Sequence, residues 1–261
     1  MKSHRAKLGQ NFLADGGVLR RIIEVAEIEP SDIVLEIGPG QGSLTYALCQ
    51  KAKKVIAVEK DEKLFEYLQR KFSKVENLEL VNGDILQYLK ITKLQNYKII
   101  SNIPYYLTSF LLRTISGMEN KPSEMTFMVQ KEVAERMCAQ PPQMNLLALS
   151  VQMFAVAEIK FFVSKKSFHP APKVDSAVIK LEIKKLRNYE IKDQTTFFNL
   201  IKQGFSSKRK TLANNLTGYE NLTKDKIFVI LGKMGMDEKI RSQELNLENW
   251  ENIYEKIRAK K

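Results

Sequence analysis

The stretch "DIVLEIGPGQGSL", Asp32 to Leu44, runs from an apolar segment into three glycines and then into helix-forming residues. Its first half reads as a buried strand, and glycines 38, 40 and 42 read as a tight turn into a helix that begins near Ser43. Glycine permits dihedrals closed to other residues and leaves no Cβ between backbone and ligand, while the helix start presents free amides. The spacing departs from a dinucleotide fingerprint, because the sixth position counted from Gly38 is Ser43 and Pro39 follows the first glycine. A nucleoside ligand fits this turn better than NAD.

Outward from this turn, the apolar runs "KKVIAVE", "NLELVN", "YKIISN" and "EMTFMVQ" alternate with helically spaced segments. Val18, Ile22 and Val25 share one helical face before the first strand, and Leu64, Leu68 and Phe72 share another after Asp61. The alternation predicts an α/β fold with a mostly parallel sheet. "EIKFFVS" and "SAVIKLEIKK" follow as antiparallel strands at its edge. From about Leu186 the strand patterns stop. Asp193 is placed to cap a helix burying Phe197, Ile201 and Phe205, and Asn246 one burying Trp250, Ile253 and Ile257. The expected division is therefore residues 1–185, carrying the sheet, and 186–261, a small all-helical domain.

Three further strand ends carry polar residues suited to one adenosine-like ligand. The second strand closes on Glu59, 21 residues after Gly38, where a carboxylate accepts hydrogen bonds from ribose hydroxyls. The third ends in "NGDIL", which offers Asp84 as an acceptor for an adenine amino group. The fourth ends in "KIISNIPYYLTS", Lys98 to Ser109. An exocyclic base amine is a poor nucleophile because its lone pair is delocalised into the ring. Acceptors on both its hydrogens favour the pyramidal geometry that frees that pair. Asn102 and the Pro104 carbonyl are such acceptors, proline fixes the turn, and Tyr105 offers a ring for stacking on the base.

Charge points to a polyanionic partner. The chain of 261 residues is 44% hydrophobic and carries a formal +12. Between Lys160 and Lys210 there are 13 basic and 4 acidic residues, a net +9. Lys165, Lys166, Lys208, Arg209 and Lys210 are the candidate contacts to RNA phosphates. No run approaches the roughly 18 apolar residues of a membrane span, and no secretory signal is seen, so a cytoplasmic protein without a membrane partner is expected. His4 and His169 join no ligand cluster, so no metal is expected. Cys49 and Cys138 read as buried small hydrophobes.

The glycine turn, the two acids and the Asn-Ile-Pro-Tyr turn, in that order, resemble the class I methyltransferases with a Rossmann-like sheet. Over almost the whole length, "LGQNFL", "MVQKEVAERM", "FHPAPKVDSAVIKL" and "FSSKRKTLANNL" closely resemble the KsgA-type ribosomal RNA adenine dimethyltransferases. The resemblance implies S-adenosylmethionine as cofactor, held by Asn11, Leu13, Gly38, Gly40, Glu59, Asp84 and Asn102. It also implies that Phe168 and Tyr105 flank the target adenine. The implied reaction is N6,N6-dimethylation of two adjacent adenosines in the 3′-terminal hairpin of small-subunit rRNA, on an immature particle, by a monomer. "PQMNLLALSVQ" departs from the family pattern by lacking a Tyr-Gly pair. Large-subunit rRNA methylation of the macrolide-resistance type stays open as an alternative, as does an assembly factor acting mainly by binding.

Overall fold

In the computed structural model, which describes residues 11–104, 107–184 and 193–259, every expected strand joins one seven-stranded sheet. In chain order the strands are β1 (Phe12–Leu13), β2 (Ile33–Ile37), β3 (Lys54–Glu59), β4 (Leu78–Asn82) and β5 (Tyr97–Asn102). They continue as β6 (Glu124–Gln130), β7 (Ala155–Val163), β8 (Phe168–His169) and β9 (Ser176–Ile183). The sheet order is β4-β3-β2-β5-β6-β9-β7, parallel from β4 to β6, with β9 antiparallel to both of its neighbours. β1 and β8 form a separate antiparallel pair that no local sequence pattern announced.

The helices that connect the parallel strands are α1 (Gly16–Val25), α2 (Ser43–Cys49), α3 (Glu62–Lys71), α4 (Ile85–Ile91) and α5 (Thr108–Ser116). Of these, α1 and α3 begin on a capping aspartate. Asp15 accepts from Gly17 and Val18 at the start of α1, and Asp61 accepts from Leu64 at the start of α3. Inward faces carry the stripes expected: Ile22, Leu68 and Phe72 are buried, with Val18, Val25 and Leu64 half-buried at the margin. β2 and β3 are buried on both faces, which is why they read as continuous apolar runs. The edge strand β7 sets Glu158 and Lys160 toward solvent and bulges between Ile159 and Phe161, features that blunt strand addition.

Two compact units result, residues 1–135 with 155–183, and residues 136–154 with 184–261. The division differs from the expected 1–185 and 186–261 at one segment. Between α6 (Lys131–Met137) and β7, the helix α7 (Leu146–Gln152) belongs to the helical unit. Its Ala148 and Leu149, with Met144, pack among α8 (Gln194–Gly204), α9 (Leu212–Leu216), α10 (Lys224–Lys233) and α11 (Leu247–Arg258). The stretch "PQMNLLALSVQ" is thus core-forming, and Asn145 caps it by accepting from Leu147 and Ala148. The expected boundary at residue 186 lies outside the described residues. Asp193 caps α8 and Asn246 caps α11, and Phe197, Ile201, Trp250, Ile253 and Ile257 are buried, Phe205 only partly. Cys49 is buried, whereas Cys138 is only half-buried, contrary to the sequence reading.

Candidate active site

β2 and β5 are the neighbours at which the strand order reverses, the place where an open α/β sheet leaves a crevice beyond its carboxyl edge. Short bonds pin the strand ends there. Ser101 Oγ donates to the Ile37 carbonyl at 2.6 Å, Gly38 N–H donates to the Val58 carbonyl at 2.9 Å, and Gly83 N–H donates to the Glu59 carbonyl at 2.9 Å. Four consecutive strand ends are thereby fixed side by side.

All three glycines of the loop have positive φ, at +63° for Gly38, +58° for Gly40 and +80° for Gly42. A Cβ on Gly40 would stand 3.0 Å from Phe12 Cε1, and one on Gly42 would stand 2.5 Å from Phe72 Cε2. The loop therefore demands glycine both for its dihedrals and for the rings packed on it. Lys71 Nζ donates to the Gln41 carbonyl at 2.7 Å and holds the loop from the α3 side. The cradle suits a ligand that needs close backbone approach.

Glu59 is buried, and burial raises its carboxyl pKa. Oε1 accepts from Asp61 N at 2.9 Å and Oε2 from Gly40 N at 3.2 Å. The Lys60 backbone N–H bonds the carboxylate as well, so three of its roughly four acceptor sites serve the backbone and limited capacity remains for a ribose hydroxyl. Asp84 performs the ordinary duty of a cap, its Oδ1 accepting from Leu86 N at 2.9 Å at the start of α4. Its Oδ2 accepts from Lys60 Nζ at 2.9 Å, and that bond leads the effects holding its pKa low.

At the end of β5, Asn102 is half-buried opposite Met128, and Ile103 is buried, its N–H bonded to the Met128 carbonyl. A Cβ on Gly38 would stand 3.8 Å from Pro104 Cδ and Cγ, so the proline ring borders the glycine loop. The Pro104 carbonyl accepts from Leu107 N at 2.9 Å, which leaves it one lone pair for a second donor. Tyr105 lies outside the described residues.

Asn11 and Leu13 are half-buried, and Leu13 pairs with Phe168 across β1 and β8. Phe168 is expected from the resemblance to flank the target adenine opposite Tyr105. It is 5% exposed and belongs to the core cluster against which Leu13 packs. That burial also makes it an anchor for the proline-containing loop that follows. Phe168→Ala is expected to destabilise the protein by about 3–5 kcal/mol, seen as a lowered urea midpoint. Lys165 and Lys166 are exposed in the first unit, and Lys208, Arg209 and Lys210 are exposed in the helical unit.

Sequence reading missed Glu36, which sits in β2 at 1% exposure with Oε2 lacking a hydrogen-bond partner among the described residues. Burial, reinforced by the charge of Glu59 and opposed by the Thr45 hydroxyl, pushes its pKa from 4.5 to about 8. The signal was available: an acid within a strand apolar on both faces. Because folded Glu36 keeps a proton that the unfolded chain releases, stability falls as pH rises between about 4.5 and about 8. Glu36→Gln is expected to flatten that decline, by up to about 1.4 kcal/mol per pH unit. Melting temperatures across this window check it, with Glu59 leaving a smaller slope of the same sign.

The description "Ribosomal RNA adenine dimethylase" belongs to a family model that matches residues 1–255. The ribosomal RNA small subunit methyltransferase A of Fusobacterium nucleatum is 40% identical over 253 residues, covering 95% of each chain. That of Mycoplasmopsis pulmonis is 40% identical over 256 residues, covering 97% of this chain and 99% of the relative. Among solved structures, a dimethyladenosine transferase from Plasmodium falciparum matches with a TM-score of 0.80 at 29% identity, covering 95% of this chain and 98% of its own. The 23S rRNA methyltransferase ErmE matches with a TM-score of 0.78 at 25% identity, covering 95% of this chain and all of its own.

Proposed function

The chain belongs to the ribosomal RNA adenine dimethylases, and on that premise we propose that it dimethylates N6 of two adjacent adenosines in the 3′-terminal hairpin of small-subunit rRNA. The observation that carries this reading is the nearness of Pro104 to Gly38, where an added Cβ would stand 3.8 Å from the proline ring, so that the amine-acceptor turn borders the ligand cradle. When bound, S-adenosylmethionine supplies an electrophilic methyl on a sulfonium. Glu59 would accept from its ribose and Asp84 from its adenine, Gly38 and Gly40 would allow its chain close approach, and Asn11, Leu13 and Asn102 would complete the set that holds it.

Asn102 Oδ1 and the free lone pair of the Pro104 carbonyl hold the two amine hydrogens and turn the nitrogen lone pair toward the methyl. Tyr105 stacks on the base. The adenosine leaves its helix to reach this turn, and ring stacking offsets part of the unstacking. The amine becomes acidic only after attack, so its proton departs to water and no strong base is required; His169 has no such role. After the first transfer the new methyl must rotate away so that the remaining hydrogen returns to an acceptor.

Lys165 and Lys166 of the first unit bind RNA phosphates, as do Lys208, Arg209 and Lys210 of the helical unit. Reversing the charge of residues 208–210 is expected to weaken rRNA binding and to reduce the slope of log affinity against log salt by about 2–3. Filter binding at several salt concentrations reads this, and an unchanged slope removes these residues from the interface. The protein acts as a cytoplasmic monomer on an immature small subunit.

The likeness to ErmE at TM-score 0.78 favours a second reading, methylation of large-subunit rRNA. Small-subunit relatives at 40% identity weigh against it. Labelled S-adenosylmethionine offered with immature small subunits, and separately with protein-free large-subunit rRNA, distinguishes them. Label in the small-subunit particle supports the proposal, label confined to large-subunit RNA overturns it, and tight binding without transfer makes the protein an assembly factor.

A further inference from the structure

Residues 11–15 form a strap beside the glycine loop, with the Phe12 ring packed so near Gly40 that an added Cβ there would stand 3.0 Å from its Cε1. The strap's own secondary structure is minimal. β1 pairs with β8 through only two residues, Phe12 opposite His169 and Leu13 opposite Phe168, and so short a ladder holds weakly by itself. Two further bonds extend it: Ala14 N–H donates to the Ser167 carbonyl at 2.9 Å, and Ser167 Oγ donates to Asp15 Oδ2 at 3.0 Å.

Asp15 divides its oxygens between two tasks. Oδ1 caps α1, accepting from Gly17 N at 2.8 Å and Val18 N at 3.2 Å, while Oδ2 serves Ser167. On the other side the loop bearing Ser167 is fixed to the sheet. Lys165 N–H donates to Asp175 Oδ1 at 2.9 Å, Lys131 N–H donates to the Asp175 carbonyl at 3.0 Å, and Phe168 is buried. The strap therefore hangs between a capped helix and an anchored loop.

We propose that Ser167 and Asp15 are positioning residues whose hydrogen bond clasps the strap beside the glycine loop, so that a serine touching neither loop nor cradle sets cofactor affinity. The inference rests on the reading of the glycine loop as the S-adenosylmethionine site. A hydroxyl bonded to a carboxylate is a charge-assisted hydrogen bond, and here, at 3.0 Å on the surface, it links strap and loop side chain to side chain.

Calorimetric titration of the full chain with S-adenosylmethionine tests it. Ser167→Ala is expected to raise Kd by about five- to tenfold, while kcat at saturating cofactor stays within about twofold. Ser167→Thr, which restores the hydroxyl, returns the affinity. Asp15→Ser keeps a good cap but is too short to reach Ser167, so it produces a similar rise, and the double variant no more than the larger single effect. In wild type the cofactor also protects the Ala14 amide from hydrogen exchange, and in Ser167→Ala that protection shrinks. An unchanged Kd in Ser167→Ala, or additive effects in the double variant, overturns the clasp. Wild type that binds no S-adenosylmethionine overturns the cofactor site itself, a different failure.

Discussion

Asn102→Ala is expected to lower kcat for methyl transfer by about 10²–10³-fold, the usual effect of removing one aligned polar group from a reacting centre. The carboxamide closes β5 at the strand-order reversal, half-buried and beside a backbone fixed by the Ile103 to Met128 bond. Truncation removes an acceptor without opening the core, so the melting temperature changes little. Cofactor Kd rises by at most about tenfold, since the cradle and Glu59 remain. Asn102→Asp keeps an acceptor oxygen and loses less activity. Single-turnover assays with saturating cofactor separate these effects, and an alanine variant within threefold of wild type would remove Asn102 from the chemistry.

A large effect on stability is expected at Gly204→Ala, at the end of α8, where helix propensity alone would favour alanine by about 1 kcal/mol. A Cβ there would stand 2.2 Å from Trp250 Cη2, and Trp250 is fully buried. Neither side can yield. The Gly204 carbonyl accepts from Asn215 Nδ2 at 2.6 Å and Ser242 Oγ at 2.5 Å, while the indole is packed among the helical unit's core residues and stands 6.0 Å from the Phe205 ring. Overpacking of this kind is expected to cost about 3 kcal/mol or more. Gly232→Ala provides the contrast. Gly232 lies in α10 with nothing within 4 Å of an added Cβ, and there the variant gains up to about 1 kcal/mol. Urea unfolding of both variants checks the pair, and equal midpoints would contradict this packing.

Most of the sheet is legible because β2, β3 and β6 are buried on both faces and the parallel strands end in residues with distinct chemistry. The run "DIVLEIG" has no polar interruption except Glu36, and the glycines, Glu59, Asp84 and Asn102 follow strand ends that the parallel topology gathers at one edge. What was hidden depends on contacts distant in sequence. α7 shows an apolar face, but periodicity does not say that Ala148 and Leu149 pack with Phe197 and Trp250 instead of the sheet. Nothing near Phe12 or Phe168 signals that two-residue strands 155 positions apart pair with each other, and so the burial of Phe168 was not foreseen. Asp84 is a cap, the ordinary duty of an acid before a helix, whatever else it touches.

The most direct test of the central claim is nucleoside mass spectrometry of rRNA from immature small subunits incubated with the protein and S-adenosylmethionine. Two neighbouring N6,N6-dimethyladenosines in the 3′-terminal hairpin, absent when Asn102→Ala replaces wild type, are the predicted result. Modification confined to large-subunit RNA, or no methylated adenosine in particles that bind the protein tightly, would contradict it.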